Sequence, residues 1–284
     1  MILVTGATGT IGSEVVRQLA ERGEKVRALT RDPAAARVPS GAEAVPGHPR
    51  DRASVEEAMA GAEAAFLVGV FGPDDAEHDR GLVEAARAAG VRRIVKLSSI
   101  GTGDPRLGGF GRWHLPGEEA VRASGLEWTV LRPSSFASNT LAWAESVREG
   151  TPAPHLMGDG RQGVVDPRDV AEVAVSALLD ARHAGRTYTP TGPETISASG
   201  QAAVLGELLG RPVTLLPLTA DQRREHLLAA GLGPDYADSL MAGARFIEEG
   251  GNAVVTEDVP RVLGRPARGY RDWARDHRAA FGAD

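Results

Sequence analysis

The sequence has no cysteine, which excludes disulfide frameworks, thiolate metal sites and cysteine nucleophiles. Tyrosine is scarce, with three in 284 residues, so phenolic acid–base groups are few. No apolar run approaches the roughly 18 residues of a membrane span. Basic charge is not in excess either. The net charge of -6 disfavours a phosphate-backbone partner, so neither nucleic acid nor membrane is expected as a partner. The seven histidines lack ligand spacing such as H-E-x-x-H, and no metal site is expected. Internal repeats, low-complexity tracts and clean linkers are also missing. The remaining 42% hydrophobic and 25% charged residues describe a globular chain with a substantial core. The first apolar run starts at residue 2, leaving no room for a leader, and a cytoplasmic enzyme is the expectation.

Residues 1–12 read MILVTGATGTIG. Ile2, Leu3 and Val4 are a short apolar run of the kind found in strands buried on both faces. Gly6, Gly9 and Gly12 follow, then SEVVRQLAERG with Val15, Val16 and Leu19 at helical spacing and Gly23 as a stop. A strand, a glycine turn and a helix in this order suit a dinucleotide. Gly6 permits the tight turn, Gly9 lets the backbone approach a pyrophosphate, and Gly12 lets helix and strand pack closely. The helix N-terminus offers unpaired N–H groups and partial positive charge to the anion. A second strand about one βαβ unit later supplies the confirming context, and no Gly-Lys-Ser/Thr follows that would make it a P-loop.

Further strands are expected at residues 25–29, 41–46, 64–68, 93–97 and 128–131. Helices are expected between them: one from a Ser54-x-x-Glu57 capping box, one from Pro73-Asp74-Asp75 through residue 89, and one over 117–124. This alternation through about residue 135 predicts an α/β fold, a Rossmann-like, doubly wound parallel sheet. The second half is less regular. Asp166 and Pro167 open a helix as N-cap and first residue. Residues 188–192 read as a strand into a turn and 212–217 as extended. Helices are expected over 199–210, 220–230, 236–249 and 273–281. The chain is therefore expected to be a single domain over 1–284. Residues 1–135 form its cofactor-binding part, and 136–284 a smaller C-terminal part that caps the substrate site.

In such a sheet ligands bind at the carboxyl ends of the strands. One edge then collects Gly6, Ala7, Thr8, Gly9, Thr10 and Ile11 from the first turn, Arg31 after the second strand, and Val68, Gly69 and Val70 after the fourth. Ser98 and Ser99 follow the fifth strand, and Pro133, Ser134, Ser135 and Phe136 the sixth. Arg31 falls where the adenosine ribose lands, and its guanidinium suits a 2′-phosphate, so NADP is expected over NAD. Asp32 is the rival residue and would serve NAD.

The stretches VTGATGTIG, VRALTRDP, FLVG, VKLSSIG, EEAVRASGLEWTVLRPSSF and DPRDVAEVA resemble the atypical short-chain dehydrogenase/reductases, in particular the NmrA-like group with its type-2 quinone-reductase relatives. The resemblance spans nearly the whole chain. It implies an NAD(P)-dependent oxidoreductase, although the group also holds cofactor sensors that catalyse nothing. Short-chain reductases carry a Tyr-x-x-x-Lys pair whose tyrosine donates the proton. Here His114 stands at the Tyr position and Glu118 at the Lys position, while Ser99 matches the family serine. Glu118 reads as a surface or helix-start residue.

Reduction of a carbonyl puts negative charge on its oxygen, which needs a hydrogen-bond and proton donor. The candidates are His114, Ser99 with water, or an acidic hydroxyl of the substrate itself. The last fits an aromatic polyketide of the angucyclinone type, as in antibiotic biosynthesis. The alternatives are a simple quinone reductase and a non-catalytic NADP sensor. Phe110, Trp113, Phe136, Asn139 and Trp143 are expected to line a flat pocket for such a ketone, with residues 101–111 as a mobile flap. Met241 and Phe246 lie on a helix that either closes the cap or is buried in it.

Overall fold

A computed structural model describes residues 1–69 and 76–282. In chain order its elements begin with β1 (Ile2–Val4), α1 (Thr10–Glu21), β2 (Val26–Thr30), β3 (Ala42–Pro46), α2 (Arg52–Met59), β4 (Ala64–Leu67) and α3 (Ala76–Ala88). Next come β5 (Arg93–Leu97), α4 (Leu115–Ala123), β6 (Glu127–Leu131), α5 (Ala144–Glu149), β7 (Ala153–Pro154), α6 (Pro167–Leu179) and β8 (Arg186–Tyr188). The chain ends with α7 (Ala198–Leu209), β9 (Leu215–Leu216), α8 (Ala220–Ala229), α9 (Pro234–Glu248), α10 (Asp258–Leu263) and α11 (Tyr270–Asp276).

β1 pairs in parallel with β2 on one side and β4 on the other, so both of its edges are hydrogen-bonded within the sheet. The sheet order is β3-β2-β1-β4-β5-β6-β8, which reverses between β1 and β4 and places a switch point there. Successive side chains on β1 point to opposite layers. Ile2 and Val4 meet α1, α6 and α10, with Val15, Leu19, Val170 and Leu178 in one core. Leu3 meets α2, α3 and α4, with Met59, Leu82, Ile94 and Val121 in the other. Two cores on two faces are what a doubly wound sheet requires.

The C-terminal part builds a third cluster from α5, α7 and α11, centred on Trp143, Leu205, Tyr270 and Trp273. A fourth joins Leu227 of α8 to Ala237 and Met241 of α9. The strand expected within residues 188–192 lies earlier: residues 186–188 are a seventh parallel strand on β6. α2 is capped by Asp51, not Ser54: its carboxylate accepts from the Ala53 and Ser54 amides at 3.1 and 3.4 Å. Aspartate accepts at an N-cap as well as serine does, and here it stands one turn earlier. Asp166 and Pro167 cap α6 as the sequence predicts. The expected cap of α3 at residues 73–75 lies outside the described residues.

Candidate active site

Thr5 ends β1 as a buried hydroxyl. It accepts the Val68 amide at 2.6 Å and lies 3.0 Å from the Val68 carbonyl, tying the tips of β1 and β4 together. Gly6 then turns the chain at φ +60°, a region that disfavours other residues. A Cβ on Gly12 would collide with the Gly6 carbonyl and lie 2.7 Å from its carbon, so α1 packs on the turn only through hydrogen. A Cβ on Gly9 would meet little: its nearest neighbour is Gly6 O at 3.3 Å. Gly9 is also the N-cap of α1, with no side-chain cap, and Thr8, Gly9 and Thr10 are exposed. Ala7 and Ile11 are buried beneath them. An uncapped helix start behind a loop without side-chain bulk fits a pyrophosphate.

Arg31 is exposed directly beyond β2. The Asp32 carboxylate accepts the Ala34 and Ala35 amides, each at 3.1 Å, and is thereby tied into its own turn.

Several candidate serines are committed to the fold. Ser98 is buried, with its hydroxyl 2.6 Å from Glu118 Oε1 and 3.1 Å from Thr102 Oγ1. Ser134 donates to Asn252 Oδ1 at 3.0 Å, and Ser135 donates to Gln162 Oε1. Asn252 closes this network on Gln162 at 3.0 Å. Ser99 is half-buried, with a 3.3 Å contact to the Ile100 carbonyl. Pro133 is buried and its carbonyl accepts the Ile100 amide, while Phe136 packs against the first core. Val68 is half-buried and Gly69 buried at the end of β4, and Val70 lies outside the described residues.

Glu118 is not a surface residue. It is 0% exposed and takes Arg132 at 2.8 and 2.6 Å, Arg122 at 2.7 Å and Ser98. Burial alone would raise its carboxyl, but the hydrogen bonds from Arg132, Ser98 and Arg122 outweigh it and hold the group below the ordinary carboxylate range. Its position on a helix start hid the fact that two arginines converge there.

His114 precedes α4 with its side chain mostly buried. Its Nδ1 lies 3.5 Å from Lys96 Nζ and 3.6 Å from Asp79 Oδ2. Lys96 and Asp79 themselves form a buried pair at 2.8 Å. Burial, then the Lys96 charge, lower the His114 pKa, against the opposing pull of Asp79. Both effects disfavour the charged imidazolium. Neither Lys96 nor Asp79 is singled out by any motif. The signal that marks them is a lysine inside the apolar strand RIVKL, which demands a buried counter-ion.

Trp113, beside His114, packs in tilted contact with Phe110, ring centroids 4.4 Å apart, and with Tyr236 of α9 at 5.2 Å. Tyr236 thus reaches this wall from the far end of the chain. Asn139 is exposed. Trp143 does not join the wall: it is 4% exposed within the third cluster, edge-on to His155. Its apolar neighbours in α7 and α11 leave almost none of it for a ligand. Met241 and Phe246 are buried in α9. Residues 101–111 are docked rather than open. Gly103 donates to Gly111 at 2.8 Å, Gly109 lies against Ser239 too closely to admit a Cβ, and Arg106 stacks 4.8 Å over Phe246.

A family described as NAD(P)H-binding matches residues 6–181. A (4-alkanoyl-5-oxo-2,5-dihydrofuran-3-yl)methyl phosphate reductase from Streptomyces griseus is 43% identical over 283 residues, covering 99% of each chain. An NAD(P)H azoreductase from Xenophilus azovorans is 36% identical over 285 residues, covering all of both. Among solved structures, an NADPH-dependent quinone oxidoreductase from Escherichia coli, complexed with NADPH, superposes with a TM-score of 0.83 at 26% identity, covering 97% of this chain and 99% of its own. Among the described residues, no helix is long and apolar enough to cross a membrane. The chain therefore belongs to the NAD(P)H-binding family whose model it matches, and it is an NAD(P)H-dependent oxidoreductase.

Proposed function

We propose that the protein uses NADPH to reduce a small carbonyl-conjugated acceptor, a quinone-like ring or an aromatic polyketide ketone, with His114 as the donor to the reduced oxygen. The observation that carries this reading is His114 itself. It stands at the sheet edge where the resemblance places the family tyrosine, is anchored through Nδ1, and adjoins a wall of aromatic rings.

The residues divide the work as follows. The N-terminus of α1 receives the pyrophosphate, and Arg31 forks onto the 2′-phosphate. Nicotinamide, once bound, supplies the two electrons with hydrogen. Phe110 and Tyr236, both half-buried, offer apolar ring faces to a planar acceptor, with the buried Trp113 packed between them as support. His114 donates a hydrogen bond to the oxygen that gains charge, and Ser99, half-buried at the tip of β5, is the second donor. Asn139 is exposed and available to a second polar group of the acceptor. Relatives named for azo and quinone reduction support acceptors of this conjugated type.

The test is NADPH oxidation followed by stopped flow with simple quinones and hydroxyquinone polyketides. Turnover on one of these classes, reduced about 10²-fold by His114→Phe, is expected. Tight NADPH binding with no oxidation by any acceptor would instead identify a non-catalytic sensor.

A further inference from the structure

Lys96 occupies a place where the sheet calls for an apolar side chain. Its register partner on β6 is Val130, which with Ile94 belongs to the second core, and Lys96 is 0% exposed. A buried ammonium persists when its charge is matched and its three protons are accepted. Asp79 on α3 matches the charge, with Oδ2 2.8 Å from Nζ. Three acceptors surround Nζ: Asp79 Oδ2, the Leu97 carbonyl, and His114 Nδ1 at 3.5 Å. Two glycines make room for this pair. A Cβ on Gly69 would lie 2.8 Å from Asp79 Oδ1, and one on Gly117 would lie 2.6 Å from Asp79 Cβ. Stability does not ask for such a pair, because well-packed apolar residues of similar volume serve a core as well or better.

We propose that Lys96 and Asp79 are positioning residues that hold His114 as the neutral imidazole with its proton on Nε2, and that Lys96 resupplies a proton at Nδ1 as Nε2 gives its own to the substrate oxygen. This deepens the reading of His114 as donor and rests on it. If Lys96 donates to Nδ1, that nitrogen is an acceptor and the single ring proton sits on Nε2. The charged groups facing the ring, among the described residues, are Asp79 from α3, Lys96 from β5 and Glu118 from α4, the last paired with Arg132 and Arg122.

A neutral imidazole is a sound hydrogen-bond donor, but losing Nε2–H alone would leave an imidazolate. A coupled shift avoids that anion. The Nε2–H bond breaks as the substrate O–H bond forms, and a Lys96 N–H bond breaks as Nδ1–H forms. The ring stays neutral with its proton on Nδ1, and Lys96 becomes a neutral amine beside the Asp79 carboxylate. A solvent proton taken up at Nε2 sends the Nδ1 proton back to Lys96 and restores the start. One solvent proton is consumed per substrate, and none of the three residues changes oxidation state.

The test is 15N NMR of the NADP+-bound protein, with the His114 signals assigned by their loss in His114→Gln. Wild type at pH 7 to 8 is expected to show Nε2 protonated and Nδ1 bare. The paired replacement Lys96→Met with Asp79→Leu removes both charges together. It is expected to give mixed tautomers and to lower kcat for quinone reduction by NADPH about 10²-fold, with KM and NADPH affinity within threefold. Should that variant not fold, the isosteric Asp79→Asn is expected to mix the tautomers and lower kcat about 10-fold. A protonated Nδ1 in wild type, or kcat kept within threefold in the folded variant, overturns the proposal. If no acceptor oxidises NADPH, the reductase reading falls, while the tautomer measurement still decides how His114 is held.

Discussion

Arg132 grips Glu118 with both arms of its guanidinium, Nε at 2.8 Å from Oε1 and Nη2 at 2.6 Å from Oε2. The pair fastens the start of α4 to the end of β6. Through Ser98, which donates to the same carboxylate, it also reaches the end of β5. His114, Trp113 and the candidate donor geometry depend on where α4 begins, so this contact sets the floor of the site.

Glu118→Ala is expected to lower stability by about 3–5 kcal/mol, because it leaves a part-buried guanidinium and a buried hydroxyl without their acceptor. Urea unfolding at pH 7 measures it. The folded-state carboxyl lies below its unfolded value, so its contribution is present above about pH 4.3 and disappears as pH falls through the folded value. The gap between wild type and Glu118→Gln should therefore narrow on acidification below about pH 4.

Gly9→Ala and Gly12→Ala separate binding from folding. Gly9 has φ −85°, which alanine adopts without strain, and its Cβ would meet protein only at 3.3 Å. That variant should keep its melting temperature yet lose NADPH affinity about 10-fold or more, as the methyl stands where the pyrophosphate approaches. Gly12→Ala drives a methyl into the Gly6 carbonyl and should lower stability by about 1–3 kcal/mol or more. Paired calorimetric titration and thermal melts distinguish the two.

Arg31→Ala should weaken NADPH binding by roughly 10- to 100-fold, the value of a charged hydrogen-bond pair at about 1.5–3 kcal/mol. NADH binding should change by less than about threefold. Equal losses for the two cofactors would refute the 2′-phosphate contact.

Tyr236→Ala tests the aromatic wall. Its ring packs at a tilt against Trp113 from α9 and is half-buried. Loss of one aromatic pair, about 0.5–1.5 kcal/mol, should raise KM for a planar acceptor by roughly 2- to 12-fold. NADPH affinity and kcat should stay near wild type in steady-state assays.

His114 carries a pH expectation of its own. Burial and the Lys96 charge hold its pKa below the ordinary value near 6.5. The His114-dependent part of kcat should therefore show no inflection above the ordinary histidine range. An inflection near pH 7 that vanishes in His114→Gln would contradict this assignment.

The cofactor half was legible in order because its signals are local. A glycine triplet, an apolar strand and a helical stripe lie within about 20 residues, and their spacing alone sets the turn. The partners of the serines on that edge were not legible for the same local reason. Ser98, Ser134 and Ser135 stand at strand ends, but their hydroxyls bond to Glu118, Asn252 and Gln162, up to 118 residues away. Trp143 carried no mark to tell a packed indole from a ligand wall.

By itself the sequence determined the alternating strands and helices, the glycine turn at the first strand and the absence of a family tyrosine at residue 114. Periodicity and φ preference are properties of neighbouring residues. Only the tertiary structure decided that Lys96 and Asp79 meet beneath His114, that Glu118 is buried between two arginines, and that Tyr236 faces Trp113. Those are charge and ring pairings between separate elements, and they exist only once the sheet has brought the elements to a common edge.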